Sequence, residues 1–187
     1  MSAQEKVGTK IDLAEEMQLR ENLNNGEIPH IAAISDLNFA DAVSVPDKNN
    51  GKVYRIPING TFDGTDYILV QSEGNKINRV AETHIQQISD KEARLQVWID
   101  GKPEYNDIVR ESETQATFRG VRDAWNAFNS CLNSAGVPMA IVTAISIACG
   151  LLGAFTAGTA VPACVIGAAG AYAATVSFCY GRGLKQL

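Results

Sequence analysis

Apolar residues recur along this chain at three successive periods, and each period predicts a different kind of structure. Leu13, Met17, Leu19 and Leu23 fall at helical spacing after a capping pair, Thr9 and Asp12, and stop at the Asn24-Asn25-Gly26 breaker. One amphipathic helix of about four turns is predicted there. Residues 27–50 mix apolar and polar types around Pro29, Pro46 and KNNG, and read as loop. From Lys52 the period changes to two. KVYRIPI alternates, NGTFDGT and SEGNK supply turns, DYILVQ is a second strand, and ARLQVWID runs into Asp-Gly and back through PEYNDIV. INRVAETHIQQIS fits a helix through Ile77, Val80, His84 and Ile88, but its place between two strands favours a third strand of a meander. The front of the chain is therefore expected to be a helix beside a four- or five-stranded antiparallel sheet.

The third period is helical again. Phe118, Val121, Trp125, Phe128 and Leu132 form a one-faced stripe that begins at a Ser112/Gln115 capping box and ends at Gly136, predicting a connecting helix. Beyond it, VPMAIVTAISIACGLLGAFTAGTAVPACVIGAAGAYAATVSFCY (residues 137–180) contains no charge. Pro138 suits the first turn of a helix to about Phe155, Pro162 that of a second to about Tyr180, and GTAVP turns the chain between them. Each arm would measure roughly 27–30 Å, close to one hydrocarbon thickness. Small residues stand four apart at Ala144 and Ala148, Ser146 and Gly150, Ala154 and Gly158, Ala163 and Gly167, and Gly170 and Ala174. That spacing lets helix backbones approach closely, so these positions are the expected helix-packing residues. The expected fold class is α+β: an N-terminal helix plus antiparallel β-meander (residues 1–111), followed by an all-α C-terminal helical hairpin packed on a connecting amphipathic helix (residues 112–187).

Charge divides the chain in the same place. All 21 acidic residues and 14 of the 16 basic ones lie at or before Asp123, a net charge of 14 − 21 = −7, and only Arg182 and Lys185 follow. An acidic front without a basic stripe argues against nucleic-acid binding. The start, MSAQEKVGTKIDLAEEMQ, lacks the apolar stretch of a secretory signal, so the chain is expected either to be cytosolic or to have lost a leader.

All four cysteines, Cys131, Cys149, Cys164 and Cys179, lie in the neutral half with no C-x-x-C, a poor fit to zinc. If the helices are continuous, Cys164 and Cys179 sit about 22 Å apart on one of them, beyond the ~7 Å a disulfide tolerates between Cα atoms. Pairing Cys149 with Cys179 is offset by about 15 Å along the hairpin. The nested set, Cys131 with Cys179 and Cys149 with Cys164, brackets one midpoint near residue 156. Oxidised pairs imply export or a cell surface. The alternative is four reduced cysteines buried in a cytosolic core.

Catalytic chemistry has little to rest on. No G-x-S-x-G, P-loop, H-E-x-x-H or dinucleotide fingerprint occurs, and the two histidines, His30 and His84, stand in unrelated contexts. Glu15 and Glu16 on a helix, and Asp63 and Asp66 in a turn, read as solvated surface. Asn59-Gly60-Thr61 reads as turn chemistry before glycosylation acceptor, and His84 as a half-buried structural residue. No catalytic, cofactor-binding or metal residues are expected, and no cofactor.

A charged front joined to AIVTAISIACGLLGAFTAG, VPACVIGAAGAYAATVSFCYG and the terminal GRGLKQL resembles the precursors of antimicrobial proteins, the halocin-type and other two-part bacteriocins, with a hairpin similar to the hydrophobic hairpin of pore-forming colicins. The likeness is compositional and covers about a third of the chain; halocin-type peptides carry more cysteines. It implies a secreted or cell-surface, non-enzymatic toxin precursor, whose front part masks or protects against a membrane-permeabilising carboxy-terminal hairpin. Arg119, Gly120, Arg122 and Asp123 at the charge border are the expected processing region, and Arg182 and Lys185 the residues that stay at the anionic surface. The expected partners are a target-cell membrane, an immunity protein or processing protease, and further copies of the hairpin. The other reading is a structural or interaction protein with the hairpin as buried core or assembly surface.

Overall fold

The structure, a computed structural model, describes residues 8–47, 50–60, 66–110, 130–155 and 179. Its centre is a seven-stranded sheet in which every strand pairs antiparallel with its neighbour in sequence: β1 (Thr9–Lys10), β2 (Val43–Pro46), β3 (Gly51–Pro57), β4 (Tyr67–Glu73), β5 (Lys76–Gln87), β6 (Glu92–Ile99) and β7 (Lys102–Arg110). Helix α1 (Leu13–Asn24) lies between β1 and β2 in the chain, and helix α2 (Met139–Phe155) follows the sheet.

Short turns set this topology. The β6–β7 hairpin closes through Asp100 and Gly101, both with positive φ (51° and 76°), the mirror-image turn whose twist matches that of paired strands. The β4–β5 hairpin closes through Gly74 and Asn75, with Gly74 at φ 58°. INRVAETHIQQIS is strand up to Gln87, because Ile77 to Thr83 are held in register by β4 and the run from Ala81 to Gln87 by β6.

Both faces of the sheet are covered in its centre. Tyr54, Ile56, Ile68, Val70, Ile77 and Val80 pack under Leu19 and Leu23 of α1 and under Leu37 and Phe39 of the following segment. Alternate positions on the same strands, among them Val53, Tyr67, Leu69, Ala81, Ile85, Leu95 and Val97, form one core with α2. A pleated strand sends successive side chains to opposite faces, so two apolar sets interleave in the same residues.

Helix α1 is capped differently from the expected Thr9/Asp12 pair. Thr9 belongs to β1, and Asp12 is the cap: its Oδ1 accepts from the Glu15 amide at 2.8 Å while its own amide donates to Glu15 Oε2 at 3.2 Å. Only the carboxy-terminal part of the apolar set faces inward, since Leu13 and Met17 are 71% and 63% exposed whereas Leu19 and Leu23 are buried. Residues 27–50 hold more order than loop chemistry suggested: 3₁₀ turns at Ile34–Asp36 and Phe39–Asp41, then β2.

The expected fold class is overturned. The described chain is dominated by the seven-stranded sheet, two strands or more beyond the expected meander. No all-α helical hairpin domain occurs among the described residues. Instead α2 packs directly on β5, β6 and β7. The physical reason is mutual: α2 is apolar on all sides and must be covered all round, while the sheet has a second apolar face with the same need. Of the connecting helix, residues 130–134 are described and helical; the rest, like the second arm of the hairpin, lies outside the described residues.

Gly101 also fixes how the β6–β7 turn meets the rest of the molecule. A Cβ there would approach the Cβ of Pro29 to 2.6 Å, on a backbone already at positive φ. Gly101→Ala is expected to destabilise the chain by about 1–3 kcal/mol, seen in urea denaturation as a lower midpoint at unchanged m-value.

Candidate functional site

The approach to α2 is set by a helix stop. After residues 130–134 the Gly136 amide donates to the Asn133 carbonyl at 3.1 Å and the Val137 amide to the Leu132 carbonyl at 3.1 Å, with Gly136 at φ 76°. This is a Schellman motif with its usual apolar contact pair, since Leu132 and Val137 are both buried in the α2 core. Pro138 then opens α2. The Ala140 amide, one of the donors a helix start leaves unpaired, donates to the Asp90 carbonyl of the β5–β6 turn at 3.3 Å.

The seat itself is uncharged on the helix side. Ala140, Ile141, Val142, Ala144, Ile145, Ala148, Cys149 and Leu152 are all buried, in one core with Ala81, Ile85, Leu95, Val97 and Val109 of the sheet. Ala144 and Ala148 therefore lie, as fully buried residues, in a core that includes sheet side chains. Deeper on the same face Tyr67 is fully buried, which pushes its phenol up to about 12, and the Arg55 guanidinium lies 5.7 Å from its ring centre. Burial holds Arg55 below the usual guanidinium range.

Cys131 is bonded to Cys179 across 48 residues, with Cα atoms 5.5 Å apart, and Cys149 is also in a disulfide. Because every cysteine of the chain stands at or beyond position 131, any disulfide within it closes inside the carboxy-terminal half. Nothing of that kind ties this half to the acidic sheet. Among the described residues no helix is both long and apolar enough to cross a membrane.

Several expected site residues lie outside the described residues: Cys164, Gly158, Ala163, Gly167, Gly170 and Ala174, the border residues Arg119, Gly120, Arg122 and Asp123, and the tip residues Arg182 and Lys185. Ser146, Gly150 and Ala154 fall within α2. Asn59 and Gly60 are in a turn; Thr61 and Asp63 are outside the described residues. Glu15 pairs with Lys52 as well as capping α1, and Glu16 pairs with Arg20 at 2.8 Å.

Asp66 is not the solvated turn residue it resembled. It is buried, its Oδ1 accepts from the Ile85 amide at 2.9 Å, and its Oδ2 lies 2.6 Å from Nδ1 of His84. The other ring nitrogen, Nε2, lies 2.7 Å from Oε1 of Glu82, which is only 1% exposed. Trp98 stands edge-on to the imidazole with centroids 5.3 Å apart. Burial alone would lower the His84 pKa, but the hydrogen bonds to Asp66 and Glu82 outweigh it and raise the group to about 9. Burial alone would raise Glu82, yet the His84 bond and the amides of Ala32 and Ile31 hold it below the usual carboxylate range.

Sequence reasoning missed this cluster. Glu82 and His84 are two apart on a strand and so share a face, a visible signal; Asp66 reaches them only through the β4–β5 pairing of Tyr67 with Thr83. With both nitrogens committed to carboxylates, the imidazole is a tie between segments, without a free nitrogen to exchange a proton with a substrate.

Compared with protein-family models, curated proteins and solved structures, the chain matches none. Function has to be argued from the seat of α2 and from the residues about it.

Two measurements probe that seat. Ala148→Leu adds three carbons where Ala148 has no exposed surface and is expected to cost about 1–3 kcal/mol by overpacking. Cys131→Ser opens the 48-residue loop and is expected to cost about 2–4 kcal/mol. Thermal or urea unfolding of the full chain reads both, and unchanged stability in either case contradicts the packing described.

Proposed function

We propose that this protein is the precursor of a secreted, bacteriocin-like antibacterial toxin, in which the acidic sheet carries an uncharged carboxy-terminal region that permeabilises a target membrane after release or unmasking. The observation that supports this most is α2 itself: an uncharged 17-residue helix, packed on the second face of an acidic sheet. A helix with no polar face is stable in water only while covered, and in a bilayer it needs no cover. The acidic front and the neutral region are joined by main chain and contacts, and the cysteines close inside the neutral region. One cut at the charge border would therefore leave two parts with no covalent tie. On this reading Arg182 and Lys185 stay at the anionic surface, and the mechanism is physical, without catalysis.

A second reading is favoured by the depth of the same burial. Leu152, Cys149, Ala148 and Ile145 belong to one core with the sheet, as in a structural or interaction protein that never separates. A cut at the charge border has opposite outcomes on the two readings, release on the first and continued association on the second.

Dye-filled liposomes with phosphatidylglycerol in the bilayer separate them. The oxidised fragment 124–187 is expected to release dye, and the intact chain at equal concentration to release less than about a tenth as much. No leakage from the fragment at any lipid composition contradicts the toxin reading. A chain nicked near Asp123 that stays associated and inert supports the second.

A further inference from the structure

The two histidines of the chain act on one loop. Residues 27–33 lead away from α1 and return toward the sheet. Within them His30 places Nδ1 2.7 Å from the Ala32 carbonyl and Nε2 3.4 Å from the Leu23 carbonyl at the end of α1. The next two amides, Ile31 and Ala32, donate to Oε2 of Glu82 at 2.9 and 3.1 Å. Pro29 rests against Gly101. The loop is thus held to the sheet through one buried carboxylate and one glycine contact, beside the packing of Ile28 and Ala32 on the α1-side core, and the other oxygen of that carboxylate belongs to His84.

Proton count then decides the state of the bridge. Each nitrogen of His84 faces a carboxylate oxygen at 2.6 or 2.7 Å, so each must donate. A neutral imidazole has a single N–H. Its second nitrogen would turn a lone pair toward a carboxylate, and neither carboxylate gives way easily. Glu82 is fixed by the two loop amides and Asp66 by the Ile85 amide.

We infer that Asp66–His84–Glu82 is a proton-operated lock on the 27–33 loop, closed while the imidazole carries both protons and released when one leaves to solvent across the exposed part of the ring. Among the described residues the charged groups about the ring are Glu82 from β5 and Asp66 from the start of β4. Strand β6 contributes Trp98, which does not titrate, and the loop contributes backbone amides, His30 being turned to carbonyls. The device has a visible dependent: Glu27 and Ile28 of the loop line a cavity of about 370 Å³ with Asn22, Leu23, Lys76 and Ile77. Releasing the loop alters one wall of that cavity.

The direction of the pH dependence is set by the raised value. His84 titrates near 6.5 when unfolded and near 9 when folded. The lock's stabilisation is therefore complete below about pH 6.5 and is lost as pH rises through about 9.

NMR titration of the full chain between pH 6 and 10.5 tests this. The His84 ring is expected to titrate in one step near pH 9, and the amide protons of Ile31 and Ala32 to move upfield with the same midpoint while that of Leu95 stays in place. A His84 that titrates near 6.5, or Ile31 and Ala32 amides that do not follow its step, overturns the lock. His84→Gln, which offers one side-chain nitrogen, is expected to abolish the step at Ile31 and Ala32; persistence of the step in that variant also overturns it. Should that variant fail to fold, the titration of the unaltered chain decides alone.

Discussion

A helix without a polar side must be surrounded, and the rest of this molecule depends on how α2 is surrounded. A sheet covered on one face only would have left α2 to find helical partners. Instead the strands from β3 to β5 carry two interleaved apolar sets. One is covered by α1 and the 3₁₀ turns, and the other belongs to the α2 core. The result is three layers with the uncharged helix as one of them. Such a helix contributes to stability through burial of roughly 1.5–3 kcal/mol for each large apolar side chain, set against the entropy of ordering it. Its Ala and Gly content keeps each individual contribution small. Tenure on the sheet then rests on many modest contacts, together with a helix stop at Gly136 and the hydrogen bond of the Ala140 amide to Asp90.

Much of this architecture was legible where the chain's local chemistry and its global arrangement agree. Period-two runs separated by Asp-Gly or Glu-Gly-Asn favour hairpins, and β3, β4, β6 and β7 lie where that pattern put them, while the spacing of β5 fitted a helix equally and only its place between strands favoured a strand. Pro138 announced α2 for a local reason, its missing N–H and fixed φ. The capping of α1 was legible in outline and misassigned by three residues, because Thr9 is taken up by pairing with Ser44. What was not legible was partnership. Uniform apolarity along residues 139–155 says that the helix must be covered and is silent about what covers it, so a self-contained hairpin and a sheet face were equally compatible with the sequence. β1 and β2 were hidden by their length, two and four residues, and β2 also by the Pro46 that ends it.

The polar site shows the same limit more sharply. Glu82 and His84 are neighbours on one strand face, yet their meaning depends on Asp66, which is 18 residues from His84, and on a loop some 50 residues away. An acidic residue in a turn is usually solvated, and that prior fails at Asp66 because it stands immediately before β4, beside an imidazole. Two histidines in unlike sequence contexts become parts of one tether, joined through a carboxylate that is almost wholly withdrawn from water. Buried charge of this kind is tolerated only when each oxygen and each ring proton has a partner, and here each has one.

The strictly sequential strand order carries a consequence for how the chain is made. Every pairing from β2 to β7 joins neighbours along the backbone, so all the strand partners of the sheet lie at or before Arg110. Synthesis runs from the amino terminus, at about 5–20 residues per second, and the strands are synthesised some seconds before α2 is complete. During that interval the sheet side chains that share a core with α2, Ala81, Ile85, Leu95 and Val97 among them, have no α2 to cover them. The uncharged segment thus follows in the chain the strands that cover it in the folded molecule, so the order of synthesis matches the order of packing.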